Sequence, residues 1–374
     1  MSPAIYVNNA GTSYPKAPGV VDACGTALAS APEASHGALQ DAHAETCRLF
    51  GIERADRLLL TGSCTSALSL LLHDLPLQAG DTVLTSALEH HALAGPLQRL
   101  QLTRGIVHEL APYTPGEPLD LDFVRRRVRE GGVRLIAVTT ASNVTGELLP
   151  VEELGRLAHE HGVPVLLDAA QTAGVVPIDV RSLPVDMLVF AAHKGPLAPH
   201  GIGGLWAAPH VELVSPAAVC ELPSADAGAT AAVRCADFPG ACDVGSINLS
   251  AAAGLVAALR WRAQAGAVYD APRAWALRLR QRLREQPGVT LFGGDAADYT
   301  AAVSFLIDKL PIAQAEAFFA ARGVTLRAGQ HCAPLALQAI GAPEGTLRVS
   351  FGPFNRESDV DAVAAAVAAA VARG

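Results

Sequence analysis

One pattern constrains this chain more than any other. From about residue 20 to about residue 210, short apolar runs of strand length alternate with segments of helical periodicity. Leu58–Thr61, Asp81–Ser86, Leu135–Thr140, Val163–Asp168 and Asp186–Lys194 are such runs. Apolar side chains at successive positions suit a strand covered on both faces. Such strands belong to mostly parallel sheets with helical crossovers. Two of the runs end in a single polar functional group, Asp168 and Lys194. In an open sheet of this kind ligands bind outside the carboxyl ends of the strands. A carboxylate and an amine are therefore expected to face one crevice. Taken singly, each reads as an ordinary strand-end aspartate and a surface lysine. Together they are the pair that pyridoxal phosphate requires: an amine to bond the aldehyde carbon and a carboxylate to hold the pyridinium nitrogen.

The pattern changes further along. Pro196, Pro199, Gly201, Gly203 and Gly204 predict a tight turn after Lys194. Residues 216–245 show no clear period and read as an irregular segment over the site. One long helix is expected from Asn248 through Arg280. A strand at Ala301–Ile307, a helix at Pro311–Arg322, a strand at Thr346–Ser350 and a terminal helix at Asp359–Arg373 follow. The expected fold is α/β: a mostly parallel, seven-stranded-type sheet with helices on both faces, plus a smaller α+β domain. The boundaries are set at residues 15–255 for the large cofactor-binding domain and at residues 1–14 with 256–374 for the small one.

Composition narrows the function classes. With 50% hydrophobic and 17% charged residues, the 374-residue chain is of globular rather than disordered type. A net charge of −8 without a Lys/Arg block argues against nucleic acid or an anionic membrane surface as partner. No apolar stretch reaches membrane-spanning length, and Met1–Val7 lacks a signal-peptide pattern, so a cytoplasmic location is expected. The seven cysteines are odd in number and form no C-x-x-C pair. Neither a metal site nor a disulfide framework is expected from them.

Several short segments add up, in order and spacing, to a resemblance that runs almost end to end. They are Asn8-Asn-Ala-Gly-Thr12, Thr61-Gly-Ser-Cys-Thr-Ser-Ala67, Glu89-His-His91, Ser142-Asn-Val-Thr-Gly146, Asp168-Ala-Ala-Gln171, His193-Lys194, Gly245-Ser-Ile-Asn248, Arg327-Ala-Gly-Gln-His-Cys332 and Thr346-Leu-Arg348. The chain resembles the class V aminotransferase group of fold-type I pyridoxal-phosphate enzymes, and within it the cysteine desulfurases.

The resemblance implies a role for each residue. Lys194 corresponds to the lysine that carries pyridoxal 5'-phosphate, Asp168 to the partner of the ring nitrogen, and Gln171 to the contact of the phenolic oxygen. Asn143 corresponds to a second polar contact near that oxygen and the substrate, and His90 to the imidazole stacked on the ring. Cys64 and Thr65 correspond to phosphate-binding residues at a helix start, where backbone N–H groups suit an anion. His193 is implied as a further phosphate ligand. Ser246 matches a hydroxyl supplied by a neighbouring subunit, which implies a homodimer. Arg348 matches the residue that pairs with the substrate carboxylate, and Gly11 lies in the segment lining that end of the pocket. Cys332, sixteen residues before Arg348, occupies the position of the sulfur-accepting cysteine. Arg327 and His331 beside it are expected to favour its thiolate.

Three departures from the family pattern stand out. Ala191 replaces a Ser or Thr that binds phosphate in many relatives, Gln330 replaces a histidine found in some, and Ser66 replaces a Glu found in many. The implied activity is release of alanine from L-cysteine with a persulfide formed on Cys332, then transfer of that sulfur to an acceptor thiol. The alternatives on the same scaffold are a cysteine or cystine C–S lyase, a selenocysteine lyase, an aminotransferase or an epimerase. A non-catalytic cofactor-binding scaffold is the alternative of another class.

Overall fold

The computed structural model describes residues 5–213, 220–221, 234–235, 247–294 and 298–373. In chain order its strands are β1 (Ile5–Tyr6), β2 (Leu58–Thr61), β3 (Thr82–Ser86), β4 (Val107–Ala111), β5 (Val133–Thr139), β6 (Val165–Asp168), β7 (Met187–Ala191), β8 (Gly203–Ala207), β9 (Cys220–Glu221), β10 (Arg234–Cys235), β11 (Val289–Leu291), β12 (Ala302–Ile307), β13 (Val324–Thr325), β14 (Arg327–Gly329) and β15 (Thr346–Ser350). The helices are α1 (Val20–Ala29), α2 (Pro32–Phe50), α3 (Cys64–Asp74), α4 (His91–Arg104), α5 (Leu121–Arg129), α6 (Val151–Glu160), α7 (Leu249–Ala265), α8 (Asp270–Arg284), α9 (Ile312–Ala320), α10 (Pro334–Ala339) and α11 (Glu357–Val371).

Seven strands form the central sheet in the order β2-β8-β7-β6-β5-β3-β4. The neighbours from β7 to β4 pair in parallel, and β8 runs antiparallel to both β7 and β2. The expected mostly parallel sheet is thus present. Every residue of β6 and β7 is buried. Successive side chains point to opposite faces, so both faces are covered there. The carboxyl ends of β2, β3, β5, β6 and β7 share one edge, and each runs directly into a residue of the candidate site.

A four-stranded sheet, β11-β12-β15-β14, is antiparallel throughout. A second apolar core lies on it, joining Val7 to Leu279, Phe305, Phe319, Leu347 and Val363. The N-terminal segment is tied in by β1, which pairs with β13, and by a bridge from Asn8 to Ser350. α10 packs elsewhere: Ala336, Leu337 and Ile340 belong to the core of the central sheet.

The single long helix expected from Asn248 to Arg280 is two helices, α7 and α8. Gly266 ends α7 with φ of 74°, a left-handed backbone that only glycine adopts without steric cost, so the helical pattern spans a break. The terminal helix begins two residues earlier than expected, at Glu357. Most of the segment 216–245 lies outside the described residues. Of it, the two short strands β9 and β10 pair antiparallel.

Candidate active site

The first wall of the site is the turn after β2. Ser63 caps α3: its Oγ accepts from the Ser66 N–H, while the Ser66 hydroxyl accepts from the Ser63 N–H, both at 3.0 Å. Ser66 therefore fills the reciprocal capping position that suits Glu in other sequences. The cap uses the N–H groups of Ser63 and Ser66. Those of Cys64 and Thr65 have no partner among the described residues, at a helix start suited to an anion. β8 passes close behind them. A Cβ on Gly203 would lie 2.9 Å from the Cys64 nitrogen, so only glycine lets the sheet approach the cap this closely. The Cys64 side chain takes another direction: its thiol donates to Asp168 Oδ1 at 3.5 Å. Burial and the charge of Asp168 raise its pKa well above the ordinary value, so it stays a thiol. Only its backbone is left for a phosphate.

Asp168 ends β6 fully enclosed. Burial raises its pKa, and the Ala170 N–H, 2.9 Å from Oδ1, and the Lys194 amine oppose that rise. Lys194 follows β7, partly buried. Burial lowers its pKa, with Asp168 acting the other way, so a neutral amine is accessible there. No hydrogen bond fixes its Nζ among the described residues. Gln171 donates from Nε2 to the Ala10 carbonyl at 3.2 Å. His193 places Nδ1 3.1 Å from Thr12 Oγ1 and stacks on His200 with ring centroids 4.5 Å apart, leaving Nε2 for another partner. Ala191 is buried at the end of β7. Ser246 lies outside the described residues.

His90 sits at the start of α4. The Ala92 N–H donates to its Nδ1 at 3.1 Å, and burial lowers its pKa to about 3. It is therefore neutral, with its one proton on Nε2. Cys332 faces it: His90, His91 and Cys332 each bring a metal-ligating atom within 4.8 Å of the others. The cap argues against a metal there. While Nδ1 accepts from the backbone and Nε2 keeps its proton, His90 has no lone pair to give.

The Cys332 turn comes from the other sheet. Ala333 N–H donates to the Gln330 carbonyl at 3.0 Å, and both central residues have positive φ, His331 at 51° and Cys332 at 56°. Such a turn suits Asn and Gly, so here it costs on the order of 1 kcal/mol per residue. Contacts on both sides hold it. The His91 N–H donates to the Cys332 carbonyl at 2.9 Å, and Asn143 Nδ2 donates to the His331 carbonyl at 2.8 Å. His331 and Ala333 are buried while Cys332 between them is exposed.

The expectation that His331 favours a thiolate is corrected by its surroundings. Burial, with the Arg348 charge, lowers its pKa to about 3, and its Nε2 is held against Thr346, 2.9 Å from Oγ1. An uncharged imidazole supplies no positive field. Lys194 and Arg348 are each coupled electrostatically to Cys332, which opposes the lowering of their own pKa values.

Arg348 lies in β15, 3% exposed. Nη1 donates to the Asn143 carbonyl at 2.6 Å and Nη2 to Asn8 Oδ1 at 3.3 Å. Gly11 packs against that same Asn8 amide, where a Cβ would approach to 2.9 Å. Burial and Arg327, its register partner on β14, lower the Arg348 pKa to about 10. Three buried polar atoms around this point, Asn143 Oδ1, His331 Nδ1 and Arg348 Nε, have no hydrogen-bond partner among the described residues. Buried polar groups are rarely left so, and a cluster of them beside an arginine fits an anionic, hydrogen-bonding ligand.

The expected site residues within the described chain thus converge on one crevice, with Asp168, Lys194, His90 and the Cys64–Thr65 turn on the sheet edge and Arg348 and Cys332 opposite. Two further residues had no role in the sequence reading. Asn8 orients Arg348. Glu89, quoted only within Glu89-His-His91, is fully buried. An acidic residue three positions after a strand, immediately past Ala87 and Leu88, was the available signal for it.

Comparison with known proteins identifies the family and the fold. The sequence model of the family described as Aminotransferase class-V matches residues 5–363. A probable cysteine desulfurase from Pseudomonas aeruginosa is 35% identical over 316 residues, 81% of this chain and 75% of that protein. The apo structure of a cysteine desulfurase from Thermococcus onnurineus superposes with a TM-score of 0.91 at 25% identity, covering 99% of this chain and 95% of the other. The cysteine desulfurase CsdA from Escherichia coli gives a TM-score of 0.88 at 26% identity with the same coverage. The chain belongs to the class-V aminotransferase family and, within it, to the cysteine desulfurases.

Proposed function

We propose that this crevice binds pyridoxal phosphate and L-cysteine, and that Cys332 takes the substrate sulfur as a persulfide. The observation that carries the reading is the placement of an exposed thiol, on a turn pinned to His91 and Asn143, opposite the enclosed Asp168 and the half-buried Lys194. The residues fit the cofactor. Lys194 would hold its aldehyde carbon, Asp168 its ring nitrogen, Gln171 and Asn143 its phenolic oxygen, and His90 its ring face. The Cys64 and Thr65 N–H groups, His193 and a partner's Ser246 would hold its phosphate. When bound, pyridoxal phosphate supplies an electron sink for a carbanion at the substrate Cα.

The protein's own groups do the rest. Arg348 binds the substrate carboxylate, its guanidinium preset by Asn8 and the Asn143 carbonyl. Lys194, its amine pushed toward the neutral form by burial, accepts the Cα proton at Nζ. Cys332 attacks the substrate sulfur as thiolate, forming an S–S bond as the substrate C–S bond breaks. The electron pair of that bond stays with the carbon skeleton, which leaves as alanine after protonation at Cβ and return of a proton from Lys194 Nζ to Cα. The bound sulfur then passes to an acceptor thiol.

The same reading takes residues 15–255 as a cofactor-binding domain and residues 1–14 with 256–374 as a smaller domain that presents Arg348 and Cys332. The separate core joining Val7 to Ala276 and later residues supports that division, although Val256, Leu259 and α10 pack in the core of the central sheet. It also takes the enzyme as a cytoplasmic homodimer, in keeping with the free thiols of Cys24, Cys47, Cys64 and Cys332. Mass analysis after incubation with cysteine tests the reading: the peptide bearing Cys332 should gain one sulfur atom, sensitive to reduction. Gain of sulfur elsewhere, or none, removes the assignment.

A further inference from the structure

Glu89 is a fully buried ionisable group beside the site that the reaction above leaves unused. It follows β3, immediately before His90, with no exposed surface. Its Oε1 lies 2.5 Å from Ser86 Oγ, on β3, and its Oε2 accepts from the Thr139 N–H, at the end of β5, at 2.8 Å. Thr139 is in turn the register partner of Asp168 on β6, and its Oγ1 lies 3.4 Å from the Asp168 carbonyl. Glu89 therefore joins three strand ends beneath the site.

We propose that Glu89 is a positioning residue that works as a neutral carboxylic acid, clasping β3 to β5 so that His90 is aimed into the crevice while a second negative charge is kept away from Asp168. A carboxylic acid fits both contacts. Its O–H can donate to the Ser86 hydroxyl, which also accepts from the Leu88 N–H at 3.1 Å, and its carbonyl oxygen accepts from Thr139. The surroundings favour that form. Burial is the main cause and the Asp168 charge adds to it, raising the Glu89 pKa to about 8, with Ser86 and the Thr139 amide opposing. Asp168 is the charged group acting on it. β3 and β5 present only the uncharged Ser86 and Thr139, and the adjoining His90 ring is neutral.

The inference rests on the cofactor reading for its purpose, but its test does not need sulfur chemistry. Glu89→Gln keeps both contacts without an ionisable group. The folded pKa, about 8, lies above the ordinary 4.5, so the parent protein must take up a proton on folding between those values. It therefore loses stability relative to the variant as pH rises through that window. The Tm of cofactor-loaded Glu89→Gln should exceed that of the parent by a margin that grows from pH 5 to pH 8 and then levels off. A pH titration of the bound cofactor's visible band should lose a step near pH 8 in the variant. Glu89→Ala should weaken that band and Glu89→Gln restore it. A margin that is flat with pH, or a variant that becomes steadily less stable as pH rises, overturns the proposal. If neither variant folds, the infrared band of a protonated carboxyl group in the parent decides. It should be present at pH 7 and fade above about pH 8, and its absence at pH 7 overturns the proposal.

Discussion

The sheet edge and the turn opposite it hold their reactive groups in opposite ways. Asp168 ends β6 and Lys194 follows β7, two central strands whose every residue is buried, so neighbouring backbone fixes where they start. Cys332 stands exposed on a turn with two left-handed non-glycine residues, held through backbone carbonyls by His91 and Asn143 while its thiol stays outside. The difference follows from what each must do. An amine that moves a proton gains from a low-dielectric, fixed position, because burial brings its neutral form within reach. A thiol that accepts sulfur from one molecule and gives it to another has to stay accessible. The strain in its turn keeps Cys332 outward between buried His331 and Ala333, and such strain persists where the surroundings over-determine it.

The comparison can be broken most sharply at Lys194. Lys194→Ala should abolish the visible absorption of the bound cofactor and lower turnover by about 10⁴-fold. Retention of either would mean that the sheet edge is not the reactive side. Cys332→Ala should keep the absorption and lower persulfide formation by at least about 10²-fold. Equal loss of both would mean that the turn shapes the cofactor pocket as well. Arg348→Lys loses the planar fork, and kcat/KM should fall about 10- to 100-fold, mostly through KM. An unchanged KM would place the substrate carboxylate elsewhere.

A smaller effect comes from the imidazoles that line both regions. His90, His193 and His331 are each lowered to about pKa 3 by burial. Their folded values lie below the ordinary 6.5, so stability is full above that pH and is lost as pH falls toward 3. Thermal melts should show Tm falling from pH 6.5 downward, and His331→Gln should flatten part of the fall. The smallest change is Ser63→Ala, which removes the cap of α3. It should cost about 1 kcal/mol, read as a Tm drop of about 2–4 °C, and weaken cofactor retention slightly.

The two regions also differ in how far they could be read from sequence. The sheet edge was legible because an all-apolar run that stops at one polar residue marks both a buried strand and its functional end. Asp168 and Lys194 could be found that way, and Arg348 likewise within Leu347–Val349. The turn was legible only as a motif. Nothing in Gln330–Ala333 announces two left-handed residues, since neither His nor Cys is a turn former of that kind. His331 was misread as a charge because burial is a property of the fold: Thr346, which holds it, is fifteen residues away. Glu89 escaped a role for the same reason, since its partner Thr139 lies on a strand fifty residues on. The break at Gly266 was hidden because a single glycine interrupts a helical pattern only weakly.

A single-turnover reaction with L-cysteine, following alanine, pyruvate and protein-bound sulfur together, tests the central claim most directly. The account predicts alanine and a Cys332 persulfide forming at the same rate and in equal amounts, without pyruvate. Pyruvate released with free sulfide, at a rate unaffected by Cys332→Ala, would contradict it.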